Sequence, residues 1–343
     1  MKELILQFGG VGFLAFAIAF VLTMLAIKLF PYFGLMDRPH LYGLKRNPIP
    51  YYGGIVIYIV FLLCVFIFVP MSTHLVGLVL GGTIIFVVGL LDDLFKLSPF
   101  LRLGFQFVAA LVLVFSGVGI LSINLPFFGV LDLSYPLLGG LFTVFWVLAI
   151  VNTMNFIDGV GGLSSGVSFI AAIALFFLSI NPTLHENPAS QIPVALIALI
   201  VAMISLVFLL FDFPKPKILM GDSGSTFLGF MIAGLSIFSG GKVATAFLVL
   251  AIPILDMVWV ILRRLFSHKK FWQGDLFHLH HRLLLDIGLS ERMVVLVYLL
   301  ITGFLAFNSV HFVSGQQKLF MIIGTVLFMI LLACMFVFVP KKR

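Results

Sequence analysis

Charge is what this sequence has least of. Only 10% of its 343 residues are Asp, Glu, Lys or Arg, against 62% hydrophobic, whereas a soluble globular domain carries about 25% charged residues. That scarcity excludes an ordinary water-soluble fold. Cysteine is almost missing. Cys64 and Cys334 each lie inside an apolar run, so neither a disulfide framework nor thiol chemistry is indicated. Internal repeats, low-complexity tracts and a soluble appendage are also lacking, so one membrane domain over residues 1–343 accounts for the chain. No Gly-Lys-Ser/Thr follows the glycine-rich turns, which excludes a Walker A loop.

What the sequence has instead is long apolar runs. A bilayer core of roughly 30 Å needs about 20 mostly apolar residues per helical crossing. Windows at 6–30, 54–71, 75–91, 103–121, 137–154, 164–181, 192–211, 225–240, 243–263, 293–311 and 318–339 meet or approach that test. The fold class expected is therefore an all-α polytopic membrane protein with about eleven transmembrane helices. Ala15-Phe16-Ala17 mimics a signal-peptide cleavage site. The apolar run continues to Leu29, however, and Lys2-Glu3 is a poor basic leader, so a retained first span is expected. With the N-terminus outside and the C-terminus cytoplasmic, most of the 20 basic residues fall in inside loops, as the positive-inside rule requires. The net charge of +7 is then a sidedness signal and does not point to nucleic acid. The segment SINLPFFGVLDLSYP, on the outside, alternates apolar residues around a Gly turn and predicts a short hairpin.

In the same topology Asp37, Asp92, Asp93, Asp158, Asp212, Asp222, Asp275, Asp286 and Glu291 all fall on the inside, and four of those inside loops hold candidate chemistry. In GLLDDLFKLSPFLRLGFQF, Asp92 and Asp93 are neighbours, so on a helix their side chains point about 100° apart and suit different tasks. They read equally as two solvated carboxylates at a helix end. Arg102 and Gln106 follow at i, i+4 spacing, suited to phosphate and amide contacts. In VNTMNFIDGVGGLSSG, Asn152, Asn155 and Asp158 recur every three residues on roughly one helix face. Such a face holds a cation or polar ligand, or glues helices together. In KPKILMGDSGSTFLGF, Asp222 stands where a helix begins, as a cap or as a hard oxygen ligand suited to Mg²⁺. In FHLHHRLLLDIGLS, His278, His280, His281 and Arg282 crowd together. Zinc is the obvious rival there, but no Cys or nearby carboxylate completes a ligand set, and the cluster also suits a diphosphate.

These loops, in this order, resemble the polyprenyl-phosphate N-acetylhexosamine-1-phosphate transferases. That superfamily includes the phospho-MurNAc-pentapeptide translocase and the GlcNAc-1-phosphate transferases that start teichoic-acid and O-antigen synthesis. The resemblance rests on GLMDRP, NPIPYYGG, GLLDD, NTMNFIDG, MGDSGS and HLHHRLL and covers nearly the whole chain. HLHHRLL followed by GLS is similar to the GlcNAc-1-phosphate branch. The triple-His run and Thr-Pro-Thr-Met-Gly-Gly loop of the translocase branch are missing. Two departures stand out. The family motif reads Asp-Gly-x-Asp-Gly-Leu, but DGVGGL places Gly161 where the second Asp belongs. The family's Arg-Lys-x-His is replaced by a stretch offering Lys45 and Arg46.

The resemblance implies transfer of HexNAc-1-phosphate, GlcNAc-1-phosphate first, from a UDP-sugar to undecaprenyl or another polyprenyl phosphate. The products are UMP and a polyprenyl-diphospho-sugar, the first membrane step of a cell-wall or surface glycan pathway. It further implies Mg²⁺, or Mn²⁺, held by Asn155 and Asp222, and catalytic roles for Asp92, Asp93 and Asp158. Substrate contacts would come from Lys45, Arg102, Asn152, His278, His280, His281 and Arg282. The active site would lie on the cytoplasmic face of a bacterial or archaeal plasma membrane, and a homodimer is compatible with the family. The rival readings are the translocase branch, a secondary transporter and a non-catalytic lipid-binding membrane protein. A transporter would place its polar groups near the midplane, often in paired repeats, whereas here they gather at one face.

Overall fold

In hydrocarbon every backbone N–H and C=O must find its partner within the protein, and helices do this residue by residue. The computed structural model describes residues 2–39, 46–125, 129–185, 187–238, 243–267, 278–311 and 314–338. Its helices are α1 (Lys2–Leu29), α2 (Gly54–Phe68), α3 (Thr73–Phe95), α4 (Pro99–Phe115), α5 (Pro136–Ile157), α6 (Leu163–Ile180) and α7 (Ile192–Asp212). They continue with α8 (Gly221–Phe238), α9 (Val243–Val249), α10 (Ala251–Phe266), α11 (Leu279–Arg282), α12 (Glu291–His311) and α13 (Gly315–Phe338). Strands β1 (Ser122–Leu125) and β2 (Gly129–Asp132) pair antiparallel in the expected hairpin. The helix boundaries follow local chemistry. Ser98 accepts a hydrogen bond from the Leu101 N–H at the start of α4, with Pro99 in the first turn, where a missing N–H costs nothing. Lys96 closes α3 in the left-handed conformation.

Each of the eleven apolar windows holds helix, but the number that qualify as spans is smaller than expected. Among the described residues seven helices are long and apolar enough to cross a membrane, or eight if α9 and α10 form one span bent by 78°. The chain is thus a polytopic helical membrane protein, and the difference has physical causes. At 15 and 17 residues, α2 and α4 fall short of about 20. The third exception, α8, opens on the polar turn GDSGST and is buried along almost its whole length. A helix enclosed by other helices does not need the apolarity that lipid demands.

That enclosed helix organises the molecule. It packs on α3 and α5 most extensively, and on α2, α6, α7 and α9. Small residues permit the approach, as they do between helices in lipid. A Cβ at Gly89 of α3 would lie 2.6 Å from the Ser223 Cα of α8. Because backbone cannot yield as a flexible side chain would, Gly89→Ala is expected to destabilise the protein by about 1–3 kcal/mol. A melting midpoint in detergent unchanged from wild type would contradict this packing. Large apolar side chains such as Phe115, Phe145 and Phe266 point outward. Exposure of that kind fits a lipid boundary.

Candidate active site

The site begins where the end of α3 meets the start of α8. The first N–H groups of a helix have no partner within it. Here Asp93 supplies them: Oδ1 accepts from the Asp222 N–H at 2.8 Å and Oδ2 from the Ser223 N–H at 3.1 Å. The Ser223 hydroxyl donates to Oδ2 at 2.7 Å and the Tyr51 hydroxyl to Oδ1 at 2.8 Å. Burial, then the nearby Asp93 and Asp222 charges, raise the Tyr51 phenol above its ordinary range, so it remains a donor. Asp93 is buried, and its oxygens are occupied by these four bonds.

Asp92 faces elsewhere. Its Oδ1 accepts from the Leu97 N–H at 2.7 Å and its Oδ2 from Arg102 at 2.9 Å. The same Arg102 nitrogen lies 3.5 Å from Asp222 Oδ2, so the guanidinium bridges the two acids. The other Asp222 oxygen accepts from Asn155 Nδ2 at 2.9 Å. Asn155 also reaches the Ser225 hydroxyl at 3.2 Å. One turn back on α5, Asn152 donates to Gln106 at 2.8 Å. Arg102, Gln106, Asn152, Asn155 and Asp222 therefore share a small cleft.

Beside this cleft opens a cavity of about 670 Å³. Asn155, Asp158, Asp212 and Asp222 line it together with Arg46, Arg264, His278 and His281. Burial, then Asp212 and Asp222 nearby, push the Asp158 carboxyl well above the ordinary carboxylate range. His278 is oriented by Asp256 of α10, whose Oδ2 lies 3.0 Å from Nδ1 while Oδ1 accepts the Leu279 N–H at 2.7 Å. Carboxylates thus converge on a pocket whose rim carries cations, an arrangement suited to a diphosphate and a counter-cation.

The family profile for glycosyl transferase family 4 matches residues 75–240. A Bacillus subtilis protein named "Probable undecaprenyl-phosphate N-acetylglucosaminyl 1-phosphate transferase" is 30% identical over 326 residues, 91% of this chain and 86% of that protein. A Mycobacterium tuberculosis decaprenyl-phosphate N-acetylglucosaminephosphotransferase is 32% identical over 317 residues, 83% of this chain and 76% of its own. The Escherichia coli K12 undecaprenyl-phosphate alpha-N-acetylglucosaminyl 1-phosphate transferase is 29% identical over 284 residues, 80% and 75% of the two chains. The chain belongs to glycosyl transferase family 4.

In this family 4 chain the residues singled out from sequence do not all meet. Asp92, Arg102, Asn152, Asn155 and Asp222 meet at the cleft, and Asp158, His278 and His281 lie on the adjoining cavity with Asn155 and Asp222. His280 is fully buried behind them. Burial, then His281 and His278, hold its imidazole below the ordinary range, which makes it a neutral packing group. Arg282 donates to Asp286 at 2.8 Å and lines a separate apolar groove between α10 and α13. Lys45 lies outside the described residues, and its neighbour Arg46 reaches the cavity while paired with Asp37. Among the described residues no three His, Cys, Asp or Glu side chains are grouped to hold one ion. A metal here would rest on Asp222, a carboxamide, water and substrate oxygens, which suits Mg²⁺ better than zinc. Sequence reasoning assigned no role to Tyr51 or Asp212. Tyr51 stood within the NPIPYYGG motif and Asp212 was the lone acid ending the seventh window, the only signals available for either.

Proposed function

We propose that the chain transfers GlcNAc-1-phosphate from UDP-GlcNAc to a polyprenyl phosphate, with Mg²⁺, at the cytoplasmic ends of eleven crossings. The observation that carries this reading is the meeting of Asn155 and Asp222, from different helices, at the mouth of a cavity rimmed by Arg46, Arg264 and His281. The activity named for three relatives, each sharing most of this chain's length, supports the same reaction.

An oxygen of the lipid phosphate attacks the β-phosphorus of the donor. The bond from that phosphorus to the bridging oxygen breaks, and UMP leaves with the bridging oxygen. In phosphoryl transfer most of the acceleration comes from positioning and charge neutralisation. Bound Mg²⁺ would neutralise diphosphate oxygens and the departing UMP, with Asp222 and Asn155 as the holding residues. Asp93 fixes the first turn of α8 and so the place of Asp222. Arg102, already between Asp92 and Asp222, is positioned to meet the attacking phosphate. A phosphate monoester has a second pKa near 6, so the nucleophile is mostly a dianion at neutral pH and correct placement matters more than a base. The groove of about 240 Å³ between α10 and α13, walled by Trp259, Leu262 and Met329 with Arg282 beside them, offers the lipid tail an apolar path.

Purified protein given radiolabelled UDP-GlcNAc, undecaprenyl phosphate and Mg²⁺ is expected to move label into the organic phase, and EDTA is expected to stop it. Absence of organic-phase label with folded protein would refute the transfer, and turnover undiminished by EDTA would refute the metal.

A further inference from the structure

The contact between α4 and α5 carries two facing carboxamides, and their orientation follows from their partners. Asn152 Nδ2 lies 2.8 Å from the Leu148 carbonyl oxygen, which only accepts, so that atom is the NH₂. The same NH₂ meets Gln106 at 2.8 Å, so Gln106 turns its Oε1 toward Asn152. Both hydrogens of the Asn152 amide are then committed. Gln106 is left with an NH₂ that has no partner among the described residues. Gln106 is only 6% exposed and lines the cleft with Arg102, Asn155 and Asp222. Donors held in that condition are costly unless an acceptor arrives. The cleft measures about 20 Å³, and one water needs about 10–15 Å³, so it admits a single oxygen atom and no whole phosphate. Arg102 stands one turn earlier on the same face of α4, and a guanidinium beside the amide favours an anionic oxygen.

We propose that Gln106 donates a hydrogen bond to one non-attacking oxygen of the acceptor phosphate, and that Asn152, without touching substrate, fixes Gln106 for this task. This rests on the transfer reading above. In phosphoryl transfer the attacking and leaving oxygens lie roughly in line. Asn155 and Asp222 stand in the walls of both the cleft and the 670 Å³ cavity, so a donor held in the cavity meets its acceptor from the cleft side. One oxygen anchored between Gln106 and Arg102 leaves another free to attack. The carboxamide adds a donor without disturbing the charge balance of Arg102, which Asp92 and Asp222 already share.

The test uses full-length protein in detergent with Mg²⁺, UDP-GlcNAc and undecaprenyl phosphate. Both KM values are measured for wild type, Gln106→Met, Asn152→Ala and the double variant. Gln106→Met is expected to raise the undecaprenyl-phosphate KM about 10- to 100-fold, as for a lost hydrogen bond to a charged group. The UDP-GlcNAc KM and the melting midpoint are expected to stay near wild type. Asn152→Ala is expected to raise the acceptor KM less, since Gln106 keeps its NH₂ but loses the bond that turns it. The double variant is expected to be no worse than Gln106→Met alone, because Asn152 acts through Gln106. An unchanged acceptor KM in folded Gln106→Met overturns the assignment and leaves the cleft with a water only. Equal rises in both KM values with a lowered midpoint overturn it in favour of packing, and additive effects overturn the part given to Asn152. If Gln106→Met does not fold, Asn152→Ala decides by the same split between the two KM values. A wild type that transfers no label overturns the proposal together with the transfer reading.

Discussion

Asp222→Ala is expected to lower GlcNAc-phosphate transfer by about 10³-fold or more while leaving the fold intact. The magnitude follows from the role proposed. A ligand that holds a charge-neutralising cation at the reacting phosphates accounts for several kcal/mol of barrier, and each 1.36 kcal/mol is about tenfold in rate. The retention of fold follows from geometry. The Asp222 side chain is 28% exposed, and its carboxylate meets Asn155, Arg102 and the Asp92 carboxyl at the cleft. Its removal also relieves the crowding of carboxylates around Asp158. The cost to α8 is a first-turn acid, about 0.3–1 kcal/mol. Parallel measurement of organic-phase label and of the melting midpoint checks both halves. Activity near wild type would remove Asp222 from the chemistry.

Asp93→Asn is expected to behave differently, losing stability and activity together. Its two oxygens receive four hydrogen bonds from Tyr51, the Asp222 N–H and both donors of Ser223. An asparagine offers one oxygen and turns an NH₂ group toward a backbone N–H that cannot accept it, at whichever end it is placed. Leaving buried donors without their charged acceptor costs about 1–3 kcal/mol, enough to lower the melting midpoint plainly. Because this network sets the first turn of α8, Asp222 shifts with it and transfer falls as well. A variant with the wild-type midpoint and reduced activity would instead place Asp93 on the reacting groups. The two aspartates of the GLLDD stretch thus separate experimentally. Asp92 is held by Arg102 at the cleft, and Asp93 is committed to α8.

The candidate site was legible in part. Asn155 and Asp222 are 67 residues apart yet hydrogen-bonded. Sequence could group them because both fall at the ends of apolar windows within polar, glycine-punctuated loops. The β1–β2 hairpin was legible for the same local reason, since alternation and a Gly turn are short-range signals. The histidine cluster was less legible. In HLHHR the residue types are alike, yet His278 and His281 reach the cavity, His280 is buried and Arg282 turns to Asp286. Nothing within five residues encodes that division, because it depends on α10 arriving with Asp256. The span count was less legible at α8, where Gly and Ser lower the apolarity of a helix buried among others along almost its whole length.

By itself the sequence determined that the chain is a helical membrane protein, that its ionisable residues gather at helix ends, and which family its ordered motifs resemble. These are properties of runs and spacings, and the cost of placing charge in hydrocarbon enforces them locally. Only the tertiary structure decided which of two adjacent aspartates anchors a helix, and that the carboxylate beside Gly161 is Asp212, from the end of α7. Those outcomes depend on how closely helices distant in the chain approach, and that distance is set by the small residues of several helices at once.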